Sequence, residues 1–394
     1  MLIYPNTYPV AYPTTPGRII QKPNINKIKN DNPCVLQYLA DTSGCGLYRM
    51  GWPQHVLNFT DKARVFNSSI MIGDQSFYTS LSTVRIQRQA KTEQKNFVKF
   101  LCQLRDKYGF RLHYEIDDIV FGEDIPEYNV NRGAFLNPEI RQNIEDIMNW
   151  CDEITVTCPF MRDYYRSKIQ NQNITIVPNF QSRMWLDGYY NQIEINRNYD
   201  LNKKKPRILY CGSAGHYDIK NVGVKDDTFH IIDTIVKTIN DYQWVFLGKY
   251  PRQLETLVKM GKIEYHPFVN LMDYPKTLAK LKVQAAIAPL VDNNFNKAKS
   301  DIKWTEMCAL GIPCICQDLC TYDKAWWKFN TGDEMIDHLK DVVGRAGHYK
   351  NLGPKLYKIA QQNWLENEEN INCYVDLFKY SYNSQERKYL NRWQ

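Results

Sequence analysis

At residues 293–318 the chain reads NNFNKAKSDIKWTEMCALGIPCICQD, a polar turn, a helix and an apolar strand in that order. We expect the helix to span about residues 301–310. Gly311 suits a left-handed helix end, and Pro313 prevents the helix from continuing. The apolar residues 314–316 are typical of a strand buried in a parallel sheet. The segment therefore predicts a helix that leads directly into a central strand of an α/β domain.

Charged and polar side chains are grouped around the start of this predicted helix. Ser300 or Asp301 suits its N-cap position. Lys299, Lys303 and Glu306 follow at spacings of four and three residues, which places them on one helix face. A helix N-terminus flanked by lysines attracts phosphate, and a carboxylate one turn further along can accept hydrogen bonds from sugar hydroxyls. The segment is therefore a candidate site for an anionic ligand that carries hydroxyl groups.

Length and composition place the chain among soluble globular proteins. Its 394 residues suit two domains, and contents of 43% hydrophobic and 24% charged residues argue against a disordered chain. No apolar run is long enough to cross a bilayer, and the N-terminus lacks the pattern of a signal peptide. We therefore expect a cytoplasmic protein. Residues 1–30 show no periodicity and are expected to form an extended surface arm or a partly disordered one.

The net charge bears on the kind of partner, and the positions of the cysteines bear on metal binding. The net charge of +7 favours a polyanionic partner, although a solvated basic surface without a partner is equally compatible with it. The 11 cysteines include no CxxC pair, and they cluster only at Cys314, Cys316 and Cys320. We interpret this cluster as buried thiols, because a zinc site would need a fourth ligand. No bound metal is expected.

Two junctions between a strand and a loop in the first half of the chain carry residues suited to chemistry. The first predicted strand runs into a loop with Gly44 and Gly46, where backbone N–H groups can approach a ligand, although a simple tight turn explains the pattern equally well. A strand at residues 111–116 ends in Asp117 and Asp118. Paired carboxylates at such a strand end suit a general base, and the alternative is a helix cap beside a solvated acid.

The second half of the chain repeats this arrangement. A predicted strand at residues 207–211 runs into a loop of small residues that contains Gly212 and Ser213 and ends at His216. A histidine beside such a loop can donate a proton to a leaving group, but exposed loop histidines without a function are about as common. Strands and helices alternate along both halves, which predicts doubly wound parallel sheets.

The order of these motifs resembles that of GT-B nucleotide-sugar glycosyltransferases, especially phage-encoded ones. The run KAKSDIKWTEMCALGIPCI resembles their donor-binding segment, and GCGxYR, EIDD, VPN, GSxGH and APL precede it in the expected order. The chain differs from many relatives in having Ala298 where they carry a second glutamate, and Gln284 where they carry aspartate. The resemblance implies an α/β protein with two Rossmann-like doubly wound domains facing a cleft, and a C-terminal helix that crosses back to the first domain.

The same resemblance implies a domain division and donor-site roles. The implied segments are an acceptor-side domain at 1–185, a linker at 186–206, a nucleotide-sugar-binding domain at 207–360 and a returning helical segment at 361–394. Glu306 would bind donor hydroxyls, and Lys299 or Lys303 would bind the diphosphate, with Lys220 or Lys225 as further cations. The implied donor-binding residues are Gly44, Gly46, Gly212, Ser213, Lys225, Lys299, Ser300, Lys303 and Glu306.

The resemblance also implies the reaction and its partners. A UDP-sugar is the expected co-substrate, no cofactor is tightly bound, and a hexose or pentose is transferred, with retention of configuration favoured. The implied catalytic residues are Asp117, Asp118 and His216. The expected acceptor is 5-hydroxymethylcytosine in double-stranded phage DNA, inside an infected bacterial host. Candidate phosphate contacts are Arg49, Arg85, Arg88, Arg132 and Arg183. The alternatives are transfer to a surface glycan or lipid, and an inactive nucleic-acid-binding protein of the same fold.

Overall fold

The computed structural model describes residues 32–196, 204–219, 223–344 and 348–379. The predicted arm at residues 1–30, Lys220 and residues 197–203 of the predicted linker lie outside the described residues. The strands are β1 (Cys34–Tyr38), β2 (Arg64–Ser68), β3 (Thr83–Gln87), β4 (Arg111–Glu115), β5 (Glu153–Val156), β6 (Ile174–Ile176), β7 (Arg207–Gly212), β8 (Gln243–Gly248), β9 (Glu264–Pro267), β10 (Ala285–Ala288), β11 (Cys314–Gln317) and β12 (Trp327–Phe329).

Helices alternate with these strands. They are α1 (Gly44–Gly46), α2 (Trp52–Phe59), α3 (Thr92–Tyr108), α4 (Arg132–Phe135), α5 (Pro138–Trp150), α6 (Pro159–Arg166), α7 (Arg183–Asn196), α8 (Ile232–Lys237), α9 (Glu255–Lys259), α10 (Tyr274–Leu281), α11 (Asn294–Lys297), α12 (Ile302–Ala309), α13 (Gly332–Gly344), α14 (His348–Gln362) and α15 (Glu368–Lys379). A π-helical turn at Leu47–Gly51 joins α1 to α2.

The first six strands form a parallel sheet in the order β2-β1-β3-β4-β5-β6. Strands β1 and β3 are buried along their whole length, as expected where helices cover both faces of a parallel sheet. The chain runs outward from β1 to β2 and then returns to β3 on the other side of β1, so the strand order reverses between β1 and β3. The loops that follow these two strands therefore border a crevice at the carboxyl edge of the sheet.

The other six strands form a second parallel sheet in the order β12-β11-β10-β7-β8-β9. Here the strand order reverses between β7 and β10. Ligands of open α/β sheets bind at such reversal points, outside the carboxyl ends of the strands. The loops after β7 and β10 are therefore the parts of this sheet where a ligand site is expected.

The segment at residues 293–318 forms the predicted helix and central strand, since α12 is followed by β11, which pairs with β10 and β12. Gly311 has the expected positive φ of 66°, and a Cβ there would lie 2.6 Å from the ring of Tyr190. The predicted cap is wrong for Asp301, because its ψ of 18° is not the extended conformation that side-chain capping needs. The predicted polar turn is instead the short helix α11, which the Asn293 side chain caps by accepting from the Asn296 N–H at 2.8 Å.

The described C-terminal part of the chain forms two helices. Helices α14 and α15 are separated by residues 363–367, and Trp364 lies in this break. Helix α15 packs on the first sheet, where the Thr83 hydroxyl donates to the Phe378 carbonyl at 3.3 Å. The predicted return of the C-terminal helix to the first domain is therefore confirmed.

The described residues divide into two compact units. The first comprises the described parts of Met1–Asp117, Pro138–Phe180 and Leu365–Gln394, and the second those of Asp118–Asn137 and Gln181–Trp364. The chain thus leaves the first unit after β4 and contributes residues 118–137 to the second before it returns at α5. The predicted domain limits at 185, 206 and 360 stay predictions, and residues 186–196 of the predicted linker are helical because they belong to α7.

Candidate functional site

The loop after β7 carries the predicted run of small residues at the reversal point of the second sheet. A Cβ at Gly212 would lie 2.7 Å from Cε1 of Tyr210 and 2.9 Å from the hydroxyl oxygen of Tyr217, so a side chain does not fit there. Ser213 is exposed and leads into a 3₁₀ turn that ends at His216. The glycine therefore lets the chain turn closely over two rings and present His216 at the sheet edge.

The carboxylate of Asp227 is the centre of the hydrogen-bond network at this reversal point. Its Oδ1 accepts from the hydroxyl of Tyr128 at 2.8 Å, from Nδ2 of Asn296 at 2.6 Å and from the backbone N–H of Val291 at 3.0 Å. The three donors come from residues 118–137, from α11 and from the loop after β10. Because three separate segments converge on one oxygen, the carboxylate is held in a single orientation.

The second oxygen of Asp227 binds the two basic residues predicted from the sequence. Oδ2 lies 2.7 Å from Nδ1 of His216 and 3.7 Å from Nζ of Lys299. Burial alone would raise the pKa of Asp227, but Lys299 and the hydrogen bond from His216 lower it well below its usual range. The carboxylate is therefore ionised, and it brings His216 and Lys299 together.

The protonation state of His216 follows from this pairing. Burial, followed by the positive charges of Lys299 and Lys303, lowers the pKa of His216 to about 4. The ring is therefore neutral at pH 7, and we assign its one proton to Nδ1, which faces the ionised Asp227. Nε2 then carries a lone pair and cannot donate. The predicted role of His216 as a proton donor to a leaving group does not fit this state.

Lys303 places a second ammonium group beside this network. Its Nζ is buried, has no hydrogen-bond partner among the described residues, and lies 4.4 Å from the centroid of the Tyr210 ring. Burial is the largest cause that lowers the pKa of Lys303, and the charge of Lys299 adds to it. A buried, unbonded ammonium is costly unless a ligand supplies the missing acceptor. Lys303 and Lys299 together form a site suited to an anion.

The other predicted donor-site residues of the second unit lie around α12 and α8. Glu306 is 8% exposed, and its Oε2 accepts from the Tyr274 hydroxyl at 3.2 Å. Ser300 is half-buried between α11 and α12. Lys225 is exposed, with its Nζ 5.2 Å from the centroid of the Phe229 ring, and takes no part in the Asp227 network among the described residues. The structure therefore groups His216, Lys299 and Lys303 but leaves Lys225 outside that group.

The glycine loop after β1 is organised by the side chain of Asp41. Its Oδ1 accepts from the backbone N–H groups of Ser43 at 2.8 Å and Gly46 at 3.1 Å, and its Oδ2 pairs with Arg88. Two of the loop N–H groups are thus already bonded within the protein. The loop therefore forms a tight turn, which was the alternative interpretation of its sequence. The proposed role of Gly44 and Gly46 in donor binding stays a prediction.

Gly46 and Gly44 provide a matched pair for testing this loop. A Cβ at Gly46 would lie 1.9 Å from the Asp41 carbonyl oxygen, whereas a Cβ at Gly44 would meet nothing within 4 Å. Gly46→Ala is therefore expected to destabilise the protein by about 1–3 kcal/mol or more, because backbone must move. Gly44→Ala is expected to change stability by less than about 1 kcal/mol. Thermal unfolding of both variants checks this, and equal effects would contradict the packing described for Gly46.

The predicted acidic pair follows β4, and its two members belong to different compact units. Asp117 closes the part of the chain in the first unit, and Asp118 opens the part in the second. The Asp117 side chain is 8% exposed, and its Oδ1 lies 3.7 Å from Nε of Arg88. Arg88 adopts a positive φ of 47° between Asp117 and Asp41, an uncommon conformation for a residue with a side chain. Asp117 is therefore already paired with a cation.

The predicted phosphate contacts at Arg49 and Arg85 are wrong. Both side chains are 0% exposed, and both bind the buried carboxylate of Glu115, at 2.5 and 2.7 Å. Each arginine stands between apolar or aromatic residues in the sequence, Tyr48 and Met50 in one case and Val84 and Ile86 in the other. The turn and the strand that carry the two arginines are buried in the first unit. Arg132 remains half-buried, 3.8 Å from Glu127, and Arg183 is exposed at the start of α7.

Three residues of the network were missed from the sequence. Asp227 was not among the candidate site residues, and it lies in the loop before the turn at Phe229–Ile231 and helix α8. Asn296 lay in a segment interpreted as a turn, and Tyr128 lies in a stretch that gave no periodic signal. The consecutive acids Asp226 and Asp227, ten and eleven residues after His216, repeat the acidic pair after β4 and are the signal that points to this site.

The described residues include neither a candidate metal-binding group nor a candidate membrane-spanning helix. They contain no group of three or more His, Cys, Asp or Glu side chains that could hold a metal ion. No helix within the described ranges is both long and apolar enough to cross a membrane. Of the clustered thiols, Cys314 and Cys316 are buried and Cys320 is exposed.

Comparison with known proteins finds solved structures with a similar fold. No protein-family model matches the sequence, and no curated protein matches it. Among solved structures, Anabaena Alr3699/HepE in complex with UDP and glucose is similar, with a TM-score of 0.57 and 10% identity over 88% of this chain and 98% of that chain. The same protein in complex with UDP-glucose gives a TM-score of 0.57 at 9% identity, with the same coverage.

A third solved structure resembles this chain more weakly. A mutant of S. aureus TarM in complex with Fondaparinux, alpha-GlcNAc-glycerol and UDP gives a TM-score of 0.48 at 10% identity, over 76% of this chain and 55% of that one. The likeness to HepE, together with the two parallel sheets, confirms the predicted α/β class with two Rossmann-like domains, as in GT-B glycosyltransferases.

Proposed function

We propose that this protein is a nucleotide-sugar glycosyltransferase that uses a UDP-sugar. The observation that carries the proposal is the buried Lys303 ammonium, which has no hydrogen-bond partner within the described ranges and lies beside Lys299 and His216 at a sheet reversal point. A diphosphate would supply the acceptor oxygens that Lys303 lacks. The fold is shared with a protein crystallised with UDP and with UDP-glucose, which supports this class of ligand.

The donor is proposed to bind along the loops after β7 and β10. Lys299 and Lys303 offset the charge that develops on the departing diphosphate, an electrostatic contribution to the transition state. The backbone of Gly212 and Ser213 lies against the diphosphate, with Ser300 nearby and Lys225 at the surface as a further cation. Glu306 accepts hydrogen bonds from the donor sugar. Gly44, Gly46 and Asp117, which belong to the first unit, and Asp118, which belongs to the second, are proposed to serve the acceptor and the bound donor.

The proposed acceptor is 5-hydroxymethylcytosine in double-stranded DNA. The net charge of +7 supports a polyanionic partner, and Arg88, Arg132 and Arg183 remain as proposed phosphate contacts after Arg49 and Arg85 are removed from that set. The transferred group is a hexose or a pentose, and the reaction takes place in the cytoplasm of an infected bacterium.

A single assay tests the proposed donor, the proposed acceptor and the proposed class of enzyme. We would measure release of nucleoside diphosphate from UDP- and GDP-sugars, with and without DNA that carries 5-hydroxymethylcytosine, and then weigh the digested nucleosides by mass spectrometry. Release that depends on DNA, with a sugar-sized mass gain on the base, is the expected result. Turnover without DNA stimulation would point to a glycan or lipid acceptor, and no turnover with any donor would contradict the proposed activity.

Replacement of Glu306 tests the sugar-binding role. Glu306→Ala is expected to abolish transfer, because the carboxylate proposed to accept hydrogen bonds from the donor sugar is removed, and to leave the fold intact, because alanine suits the interior of helix α12. Glu255→Ala, on the exposed helix α9, is the matched control and should keep wild-type activity. Circular dichroism would confirm folding of both variants. If transfer survives in Glu306→Ala, Glu306 does not hold the donor sugar.

A further inference from the structure

The side chain of Tyr274, the first residue of α10, reaches the carboxylate of Glu306 on α12. Its hydroxyl donates to Oε2 of Glu306 at 3.2 Å. We propose that Tyr274 is a positioning residue for the donor sugar, because it orients the Glu306 carboxylate towards two neighbouring hydroxyl groups of that sugar. The inference rests on the proposed function, which assigns the binding of the donor sugar to Glu306.

The ring of Tyr274 is held by Trp185 of α7. The two rings are stacked, with their centroids 6.0 Å apart and an angle of 21° between their planes. Trp185 is buried, and its indole N–H donates to the carbonyl of Leu271 at 3.0 Å, in the loop that leads into α10. In the same loop, the N–H of Asp273 donates to Oδ1 of Asn270 at 2.9 Å. The Tyr274 hydroxyl is therefore held by contacts of its ring and its loop, and not by the carboxylate alone.

The thiol of Cys211 connects this hydroxyl with the cation site. It lies within hydrogen-bonding reach of Tyr274, and the charges of Lys303 and Glu306 both act on it. Burial is the largest cause that raises the pKa of Cys211 to about 12, so the thiol is neutral at pH 7. A neutral thiol is a weak hydrogen-bond partner, and the carboxylate is therefore the stronger acceptor for Tyr274.

The position of Glu306 relative to Lys303 suits a sugar that is linked to a diphosphate. The two residues are three positions apart on α12, which places them on neighbouring parts of one helix face. Both act on the same thiol, that of Cys211. The carboxylate proposed for the sugar and the ammonium proposed for the diphosphate therefore lie side by side, as the bond between these two parts of the donor requires.

The hydrogen bond from Tyr274 determines what the carboxylate can bind. The terminal torsion of a glutamate side chain has no narrow preference, so the plane of its carboxylate is set by the partners of its oxygens. A carboxylate offers about four acceptor positions and no donor, and Tyr274 takes one of them. An oriented carboxylate can accept from two hydroxyls on adjacent carbons at once. The expected ligand is therefore a sugar with a vicinal diol.

A packing role for Tyr274 makes a different prediction. If the ring only fills space against Trp185, removal of the hydroxyl leaves the binding of every ligand unchanged. Tyr274→Phe keeps the ring and its stacking on Trp185 and removes only the oxygen. This variant therefore separates the positioning role from the packing role.

The experiment measures binding of UDP and of UDP-glucose to the wild type and to Tyr274→Phe by calorimetric titration. UDP-glucose is the probe because a protein of this fold was crystallised with it. We expect Tyr274→Phe to bind UDP-glucose about 10-fold more weakly, since a hydrogen bond to a charged group is lost, and to bind UDP as the wild type does. Tyr114→Phe is the matched control, because it removes a hydroxyl that donates to the Gln89 carbonyl at 3.1 Å in the first unit. It should change neither affinity.

A double-mutant cycle tests whether Tyr274 acts through Glu306. In the Glu306→Ala background, Tyr274→Phe should change UDP-glucose binding by less than about 2-fold, because the carboxylate that it orients is already absent. Thermal unfolding of each variant checks that it is folded.

The results that would overturn the inference are distinct from those that would overturn the proposed function. The inference is wrong if Tyr274→Phe weakens UDP and UDP-glucose equally, if it changes neither, or if its effect persists in Glu306→Ala. It is also wrong if the wild type binds UDP but not UDP-glucose. Each of these results leaves the proposed function in place as long as the wild type transfers a sugar from a UDP-sugar. A wild type that binds neither ligand and transfers no sugar contradicts the proposed function, and the inference with it.

Discussion

The variant Lys303→Met is expected to melt at a higher temperature than the wild type while losing most of its transfer activity. At saturating UDP-sugar we expect kcat to fall about 100- to 1,000-fold, because the variant lacks the ammonium group that we propose stabilises the departing diphosphate. Affinity for UDP should fall as well. Activity assays with calorimetric titration of UDP would measure both effects.

The gain in stability has a separate physical cause. Nζ of Lys303 is buried without a hydrogen-bond partner in the part of the chain that the structure describes, and leaving a buried polar group unsatisfied costs about 1–3 kcal/mol. Methionine has a similar length, keeps a contact with the Tyr210 ring and carries no charge. A group that lowers the stability of the free protein but serves the reaction is expected at a functional site.

Lys297→Met is the matched control for this experiment. Lys297 lies in the same segment, but its ammonium is at the surface, 2.6 Å from Asp292. Its replacement should change neither transfer nor, by more than about 1 kcal/mol, stability. If Lys303→Met were less stable than the wild type and fully active, Lys303 would be an ordinary packing residue and the diphosphate site would lie elsewhere.

Glu115→Gln is expected to produce the largest loss of stability of the variants considered. Glu115 accepts from Nε of Arg49 with one oxygen and from Nη2 of Arg85 with the other, and all three side chains are fully buried. Glutamine has the same shape, but its amide nitrogen would face a guanidinium N–H, and both buried cations would lose their countercharge. Breaking a buried ion pair in this way costs about 3–5 kcal/mol.

Urea unfolding and amide hydrogen exchange of β4 would measure this loss in the first unit. Asp106→Asn serves as the control, because Asp106 pairs with Arg105 at the surface and is 71% exposed. It should cost less than about 1 kcal/mol. Replacing Arg49, Arg85 and Glu115 together by methionine should recover much of the stability, since no unpaired charge is then left behind. A small effect of Glu115→Gln would mean that the two arginines are not held by its charge.

The periodic parts of the fold were predictable, because burial leaves a local pattern in the sequence. The apolar residues of β11 and the glycine that ends α12 were both recognised from neighbouring residues alone. Lys299 and Lys303 were selected as basic residues at the start of a predicted helix, and His216 as a histidine in the loop after a predicted strand. By contrast, β12 was missed, because three residues are too few to show a period.

Contacts distant in sequence explain most of what was missed. Tyr128 lies 99 positions before Asp227, and the residues next to either one in the sequence do not indicate that the two are in contact. Likewise, the burial of Arg49 depends on Glu115, 66 positions away. A local pattern of apolar residues indicates whether a residue lies on the buried face of its helix or strand. A network of charged side chains depends instead on which helices and strands pack against each other.

The second unit is assembled from two stretches of chain, because residues 118–137 belong to it although they precede β5 and β6 of the first sheet. A fragment that begins at residue 181 therefore lacks Tyr128, and Oδ1 of Asp227 would lose one of its three donors. Neither unit can be cut out as one continuous piece. The second unit is consequently not a module that one continuous segment can transfer. A chimera that exchanges the second unit between related proteins would have to include residues 118–137 as well.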